Sequence, residues 1–504
     1  MEKISNKSEQ KPGKVEAQNE NFITIPRLQS HVDGTVFDRH PLAKAIDCFE
    51  KRVRDIVWAF AVAVPHAQRS QARLMTSLAS KQKSYLKTIS NSNGTEQAEA
   101  VASVLDTARN IESIFKSRMP SSIMAGLFIE LFCEFDNFLG DLLRGINSLD
   151  ESKFFHLKRE ITIGELKSLP TLDALRDDLL EKEIETLRRE SYSKQFSSLE
   201  KDYEITLTKF EEWPKFIEAS QRRNLFTHAG GVVSEQYISV CRATGTHENN
   251  LPNKGTVLPL TLDYFFETAR IVEITGILLG QTIWRKAFHR DTELADRHLN
   301  ELIYEKLRLE HFSQAVRYAN FGLQPVISKH TSGVSRRVRI INKAIALSRL
   351  DKRIEVEQLL GDEDWTDTLR DFSLARAVLE DRYIDAADLM KKIGKEGELI
   401  TESSYRNWPL FWNFRKSPEF LTTYEAVFGY SFKTSVAAAA MANVTGVATL
   451  DESVLSESTD NSHQQQLNKT EEPNKTIEKP TKTTTKTKIQ PAVKKTAKKS
   501  RISS

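Results

Sequence analysis

The sequence predicts an all-α fold, a helical bundle followed by shorter paired helices. Three observations predict it. Apolar residues recur at spacings of three and four through most of residues 41–435. The interruptions are polar or glycine-containing, as in Asn91-Ser92-Asn93-Gly94-Thr95. The one segment that reads as extended, Val232 to Val240, is too short to change the class.

With 504 residues the chain can bury the cores of two or three domains. Hydrophobic residues make up 39% and charged residues 28%, the balance of a soluble globular protein with polar tails. The net charge of +3 excludes a general polycation, so any attraction for nucleic acid must be local. Cys48, Cys133 and Cys241 are widely separated, so neither a disulfide framework nor a metal site follows, and packed thiols in a reducing cytosol are expected. The start of the chain has no apolar targeting core, and no run approaches the roughly 18 apolar residues of a membrane span. A cytoplasmic protein without a membrane partner is therefore expected.

Four segments follow from the composition. Residues 1–27 are expected to be disordered, residues 28–290 a helical domain, and 291–435 a helical-hairpin, repeat-like domain. Residues 436–504 are expected to form a disordered basic tail. Its end, Thr481 to Ser504, carries eight cations and no acid, with Lys494, Lys495, Lys498 and Lys499 the densest group. Such a tail can contact phosphate backbones without sequence choice, and it lacks aromatics for base stacking.

Within the helical domain, Ile46, Phe49, Val53, Ile56, Val57 and Phe60 form the first apolar stripe. After Pro120, Ser121 and Ser122 can cap a long helix running to about Gly145. This helix is apolar over most of its circumference and should be central. Of its acids, Glu134, Asp136 and Asp141, any that faces the core needs a partner, and arginine is the natural one. A second block spans about 172–199. A third runs from about Lys209 to Thr227, with Pro214 in its first turns or setting its start, and Gly230-Gly231 stopping it. Leu262 to Phe288 is another long helix, whose Gly276 and Gly280 suggest close helix packing.

The third block delivers Arg222-Arg223-Asn224-Leu225-Phe226-Thr227-His228. A guanidinium can hold a phosphate and an imidazole can move a proton near neutral pH. The helix dipole at this end favours a protonated His228. Arg242/His247 has the same spacing but lies in a loop-like stretch. Arg290/His298 is surrounded by Asp291, Glu293 and Asp296, and Arg285/His289 lacks a neighbouring amide and a glycine stop. Arg223 and His228 are offset by about 140° on a regular helix, so one straight helix does not point them at one spot. A purely structural role remains the alternative, with Arg223 a buried ion-pair partner and His228 a cap.

From 291 onward, His311-Phe312-Ser313-Gln314-Ala315 and Arg382-Tyr383-Ile384-Asp385-Ala386 share an aromatic-to-alanine pattern after a polar turn, which resembles irregular tetratricopeptide-like helix pairs. Such arrays bind protein partners. Trp408 to Phe432 reads as an aromatic core or capping layer.

Arg223-Asn224-Leu225-Phe226-Thr227-His228 followed by Gly230-Gly231 resembles the motif of the HEPN superfamily, as the stretch from Phe135 to Leu143 resembles the preceding core helix and, more loosely, Glu185 to Gln195 the segment between. The resemblance covers roughly residues 120–290. It implies an all-helical, HEPN-like bundle, a homodimer joined at the motif face, and metal-independent, cofactor-free cleavage of RNA, as in phage defence or toxin–antitoxin systems. It further implies catalytic roles for Arg223, Asn224 and His228, with Asp136, or else Asp141, as acidic helper. Arg222 and the tail lysines would bind substrate. Two other readings are a catalytically inactive HEPN-like scaffold that binds protein and nucleic acid, and a sensor using Arg222 and Arg223 for a phosphorylated ligand. No Walker-type loop supports ATP hydrolysis.

Overall fold

The computed structural model describes residues 40–150, 162, 164, 171–246, 250–366 and 368–441. Among these the fold is all-α and has no strand; Val232 and Val257 form an isolated antiparallel bridge. The segments at 1–27 and beyond 441, including Lys494, Lys495, Lys498 and Lys499, lie outside the described residues, as does His247. No helix among the described residues is long and apolar enough to cross a membrane.

Helix α1 spans Pro41–Asn91, continuing through Pro65, and α2 spans Thr95–Phe115. The predicted loop between them is a tight connection with Gly94 at φ 70°. Helix α3 runs from Met119 to Leu149, starting with Pro120 in its first turn. The block predicted at 172–199 is two helices, α4 (Leu172–Arg189) and α5 (Tyr192–Tyr203), broken at Glu190-Ser191. Helix α6 is Trp213–His228, so Pro214 marks its true start. The stretch read as extended is mostly helix α7 (Glu235–Ala243): Ser234 caps it by accepting from the Tyr237 amide, and only the bridge at Val232 retains an extended pairing. Helix α8 (Leu262–Ala287) is capped by Thr261 and buried around most of its circumference.

The glycines of α8 explain how α1 reaches it. A Cβ at Gly276 would sit 2.3 Å from the Phe49 ring, and one at Gly280 would sit 2.9 Å from Ile46. Phe49 in turn stacks on Phe138 of α3 at 4.5 Å between ring centroids. These contacts seat α1, α3 and α8 as one core.

Three helix pairs follow, α9/α10 (Thr292–Arg308 and Phe312–Leu323), α11/α12 (Gly333–Arg349 and Arg353–Gly361), and α13/α14 (Arg370–Leu379 and Tyr383–Ile393). Each turns in the same way. An acidic residue adopts the left-handed conformation, Glu310 at φ 59°, Asp351 at φ 57° and Asp381 at φ 56°. The next amide then bonds back across the turn, His311 to the Lys306 carbonyl, Lys352 to Leu347 and Arg382 to Ala377. The turn geometry is thus common to all three pairs, whereas the aromatic-to-alanine pattern marks only the first and third. The aromatic cluster closes the array as packing, with Phe411, Phe414, Phe420 and Tyr424 fully buried. Helix 432–441 carries regular structure past position 436, where the tail was expected to begin.

The core passes position 290 without a break; one buried cluster includes residues from Leu42 to Phe428. At its centre Lys306 of α9, 2% exposed, meets Glu50 of α1 at 2.7 Å and Glu273 of α8 at 2.5 Å. Burial alone would push the Lys306 ammonium down, but the two carboxylates outweigh it and hold it above its ordinary value. Arg54 adds a second cation on Glu50, and the Tyr318 hydroxyl donates to Glu273 at 3.0 Å. Removing one partner of such a buried pair costs about 3–5 kcal/mol. Lys306→Met should lower the unfolding free energy by that order, read as a lower urea midpoint at unchanged m-value. Adding Glu50→Gln and Glu273→Gln should recover part of the loss, because the two buried carboxylates that lost the Lys306 cation are then neutral. No recovery in the triple variant would mean that packing of the lysine stem, and not charge, is what counts.

Candidate functional site

Helix α6 places the motif against α3. Its last turn is regular: the Ala229 amide bonds to the Leu225 carbonyl, and the Gly231 amide bonds to the same oxygen at 3.0 Å. Gly230 (φ 58°) and Gly231 (φ 83°) then turn the chain away in the left-handed region. A Cβ at Gly231 would also crowd Phe226 at 3.2 Å and the Leu258 carbonyl at 3.3 Å, so two requirements for glycine coincide.

Arg223 points from α6 toward Asp136 of α3, with Nη2 at 4.0 Å from Oδ2. Its Nη1 donates to the Asn224 side-chain oxygen at 3.2 Å, and its Nε is buried with no hydrogen-bond partner. The guanidinium is therefore held but incompletely satisfied. Asp136 accepts at Oδ1 from the Tyr192 hydroxyl of α5 at 2.8 Å. Burial raises the Asp136 carboxyl above its usual value, and the Tyr192 hydrogen bond, Arg223 and Arg188 only partly offset this. The same burial, reinforced by the Asp136 charge, raises the Tyr192 phenol well above its ordinary range, so it serves as a donor. Cys133, one turn before Asp136 and bordering Arg223, has its thiol pushed up chiefly by burial.

Of the two acids expected as helper, Asp136 is the one beside Arg223. Asp141 instead pairs with Arg52 at 3.4 Å and Arg144 at 3.0 Å. Tyr192 and Arg188 are site residues that the motif did not single out. Arg188 Nε donates to the Asp136 carbonyl at 2.8 Å, fitting against Gly140, where a Cβ would meet Nη2 at 2.5 Å. Their signal was the Arg188-Arg189-Glu190-Ser191-Tyr192 stretch within the segment between the two motif helices, but no periodicity distinguishes these residues from their neighbours.

His228 is exposed on the terminal turn, and its imidazole makes no hydrogen bond to a described residue. Asn224, for which the resemblance implies a catalytic role, accepts from Arg223 with its side-chain oxygen. Arg222, expected on substrate, faces a different partner set. It pairs with Glu218 at 2.8 Å and lies over the Tyr264 ring at 3.8 Å. Glu218 also accepts from Tyr237 at 2.5 Å and Tyr264 at 2.6 Å, so this guanidinium is engaged inside the fold. One member of each of two rival pairs is likewise engaged: Arg285 binds the buried Asp296 at 2.8 Å, and His298 Nε2 lies 2.9 Å from Asp47. No group of three or more His, Cys, Asp or Glu side chains among the described residues is arranged to hold a metal ion.

The site can therefore present a partly exposed guanidinium beside a carboxyl of raised proton affinity, with an accessible imidazole one turn further on. The chain matches no protein-family model, no curated protein and no solved structure.

The raised Asp136 carboxyl carries a linkage consequence. A group whose folded value exceeds its unfolded one contributes most below the unfolded value and loses that contribution as pH rises through the folded value. Ionised Asp136 is thus a burden near neutrality. Asp136→Asn keeps an acceptor for Tyr192 and removes the charge. It should raise the Tm at pH 7, and the gain should vanish at pH well below 3.8, the carboxyl's ordinary value. A lower Tm at pH 7 would show that attraction to Arg223 outweighs the burial cost.

Proposed function

We propose that this protein is a metal-independent endoribonuclease of the HEPN type, and that two copies of the α6 motif form one cleft. The observation that carries the reading is Arg223. It stands beside Asp136 and a quarter of its side chain is exposed, so its terminal guanidinium nitrogens retain N–H donors for a phosphate oxygen. The exposed His228 on the next turn supplies an imidazole as the general acid–base group.

The reaction uses the RNA's own 2′-hydroxyl. One imidazole takes the hydroxyl proton as the 2′-oxygen attacks the adjacent phosphorus. The bond from phosphorus to the 5′-oxygen breaks, and a protonated imidazole gives that oxygen its proton. The products are a 2′,3′-cyclic phosphate and a 5′-hydroxyl. Arg223 stabilises the charge that accumulates on the phosphorane-like transition state. Asn224 fixes the guanidinium, and Asp136 with Tyr192 sets its direction. The offset of about 140° between Arg223 and His228 favours assembly of the cleft from two protomers over a self-contained pair. Phage defence or toxin–antitoxin control would suit such an activity.

A second reading, an inactive HEPN-like scaffold, draws support from the helix pairs. Ile354 and Ile384 occupy equivalent places three residues after the acidic turns and are 72% and 71% exposed. Apolar side chains repeated on one surface suit a protein partner.

Purified wild-type protein should cleave single-stranded RNA. Arg223→Ala and His228→Ala should each lower the rate by at least about 100-fold, the usual scale for losing charge stabilisation or a proton-transfer group. Folded variants that behave as the wild type does would favour the scaffold.

A further inference from the structure

The distal half of α1 carries a second feature, unrelated to the motif. Past Asp55 the helix contains no acid, yet it bears Arg69, Arg73, Lys81, Lys83 and Lys87. All five are exposed, and none makes an ion pair with another described residue. No acid of α2 is within ion-pair distance of them; at the far end of α2, Glu112 pairs with Lys116.

The arrangement is ordered. Val64, Ala67, Gln71, Met75, Leu78 and Gln82 recur at steps of three and four and form the less exposed side, on which α2 packs, as the Gln71 bond to the Ile114 carbonyl shows. Arg69, Arg73, Lys83 and Lys87 recur at the same steps on the opposite side, with the hydroxyls of Thr76 and Ser80 between them. At 1.5 Å per residue the stripe extends for about 27 Å. A shallow groove on this surface is lined by Arg69, Arg73, Thr76, Ser80 and Lys81. One aromatic lies on the same line towards the helix start: Trp58, 55% exposed.

We propose that this outer face of α1 binds a single nucleic-acid strand. The four aligned cations and the intervening hydroxyls take successive backbone phosphates, and Trp58 stacks on a base at one end. Single-sign charge over such a length complements a polyphosphate, and the spaced donors suit a linear ligand. One aromatic on a polar stripe gives a stacking platform without sequence choice. A membrane surface fits less well, because Trp58 and Val62 are the large apolar side chains that share the stripe's line, both at one end. The binding stands whether or not Arg223 and His228 cleave RNA.

The test uses the full chain and a fluorescent, 2′-O-methylated single-stranded oligonucleotide, which the proposed cleavage cannot cut. The variant Arg69→Gln/Arg73→Gln/Lys83→Gln/Lys87→Gln should bind at least about 10-fold more weakly, with the slope of log K against log salt shallower by about 3, near 0.7 for each lost contact. A control with the same charge change on the helix pairs, Lys352→Gln/Arg353→Gln/Lys391→Gln/Lys392→Gln, should stay within about 2-fold of the wild type. Trp58→Ala should weaken binding about 5-fold or more with the slope unchanged, the expected loss of one stacked base. Circular dichroism confirms that each variant is folded. Equal losses in the two four-site variants would overturn the proposal, reducing it to net charge. So would an absence of binding by the wild type, or a stripe variant that loses affinity only for anionic phospholipid vesicles.

Discussion

The structure depends on a buried cation. Lys306 reaches from α9 into the space between α1 and α8 and is charged there because Glu50 and Glu273 meet it. Desolvation penalises any error in this arrangement, so the pairing fixes where three helices lie along one another. The steric constraint is adjacent. Phe49 precedes Glu50, Gly276 lies one turn after Glu273, and the ring fills the space that a Cβ would occupy. Charge and shape thus set the same register, and the helix pairs begin from a helix already locked into the bundle.

That register also determines what α3 presents. Phe49 stacks on Phe138, which fixes the rotation of α3 and leaves Asp136, two residues earlier, turned toward α5 and α6. Around it, Phe135 packs with Tyr192 and Phe216 at ring separations of 5.5 and 4.9 Å. The aromatic packing limits solvent on the carboxyl's inner side, and the same packing brings the Tyr192 hydroxyl into range. The acid is consequently costly to ionise but well positioned, a combination that suits a site better than it suits a core. Arg222 makes the contrast. One residue from Arg223, it is held by Glu218 and Tyr264, whereas Arg223 approaches Asp136 only to 4.0 Å and stays a quarter exposed.

Much of this was legible in the chain because its chemistry is local. Pro214 and Gly230-Gly231 bracket α6, Gly276 and Gly280 announce a close helix contact, and the stripe of α1 is plain. The resemblance of two helices leaves Asp136 and Asp141 both open as acidic helper, and of the two it is Asp136 that lies near Arg223. Long-range pairing was not legible. Nothing around Lys306 signals partners at positions 50 and 273, and Glu218 gives no sign of gathering Arg222, Tyr237 and Tyr264. The stretch after Gly231 misled for a different reason. Its β-branched residues favour extension, but the Ser234 cap starts a helix that tertiary packing then completes, burying Tyr237 and Cys241. The acidic left-handed turns of the helix pairs follow from backbone geometry that no apolar period reveals.

The claim at the centre of this account is that the end of α6 performs chemistry on RNA using only side chains and the substrate's own hydroxyl. The most direct measurement is mass analysis of the fragment ends produced by wild-type protein from single-stranded RNA in the presence of EDTA. The account predicts undiminished cleavage, with 2′,3′-cyclic phosphate on one fragment and 5′-hydroxyl on the other. Cleavage that requires added Mg²⁺, or fragments that carry 5′-phosphate, would contradict it.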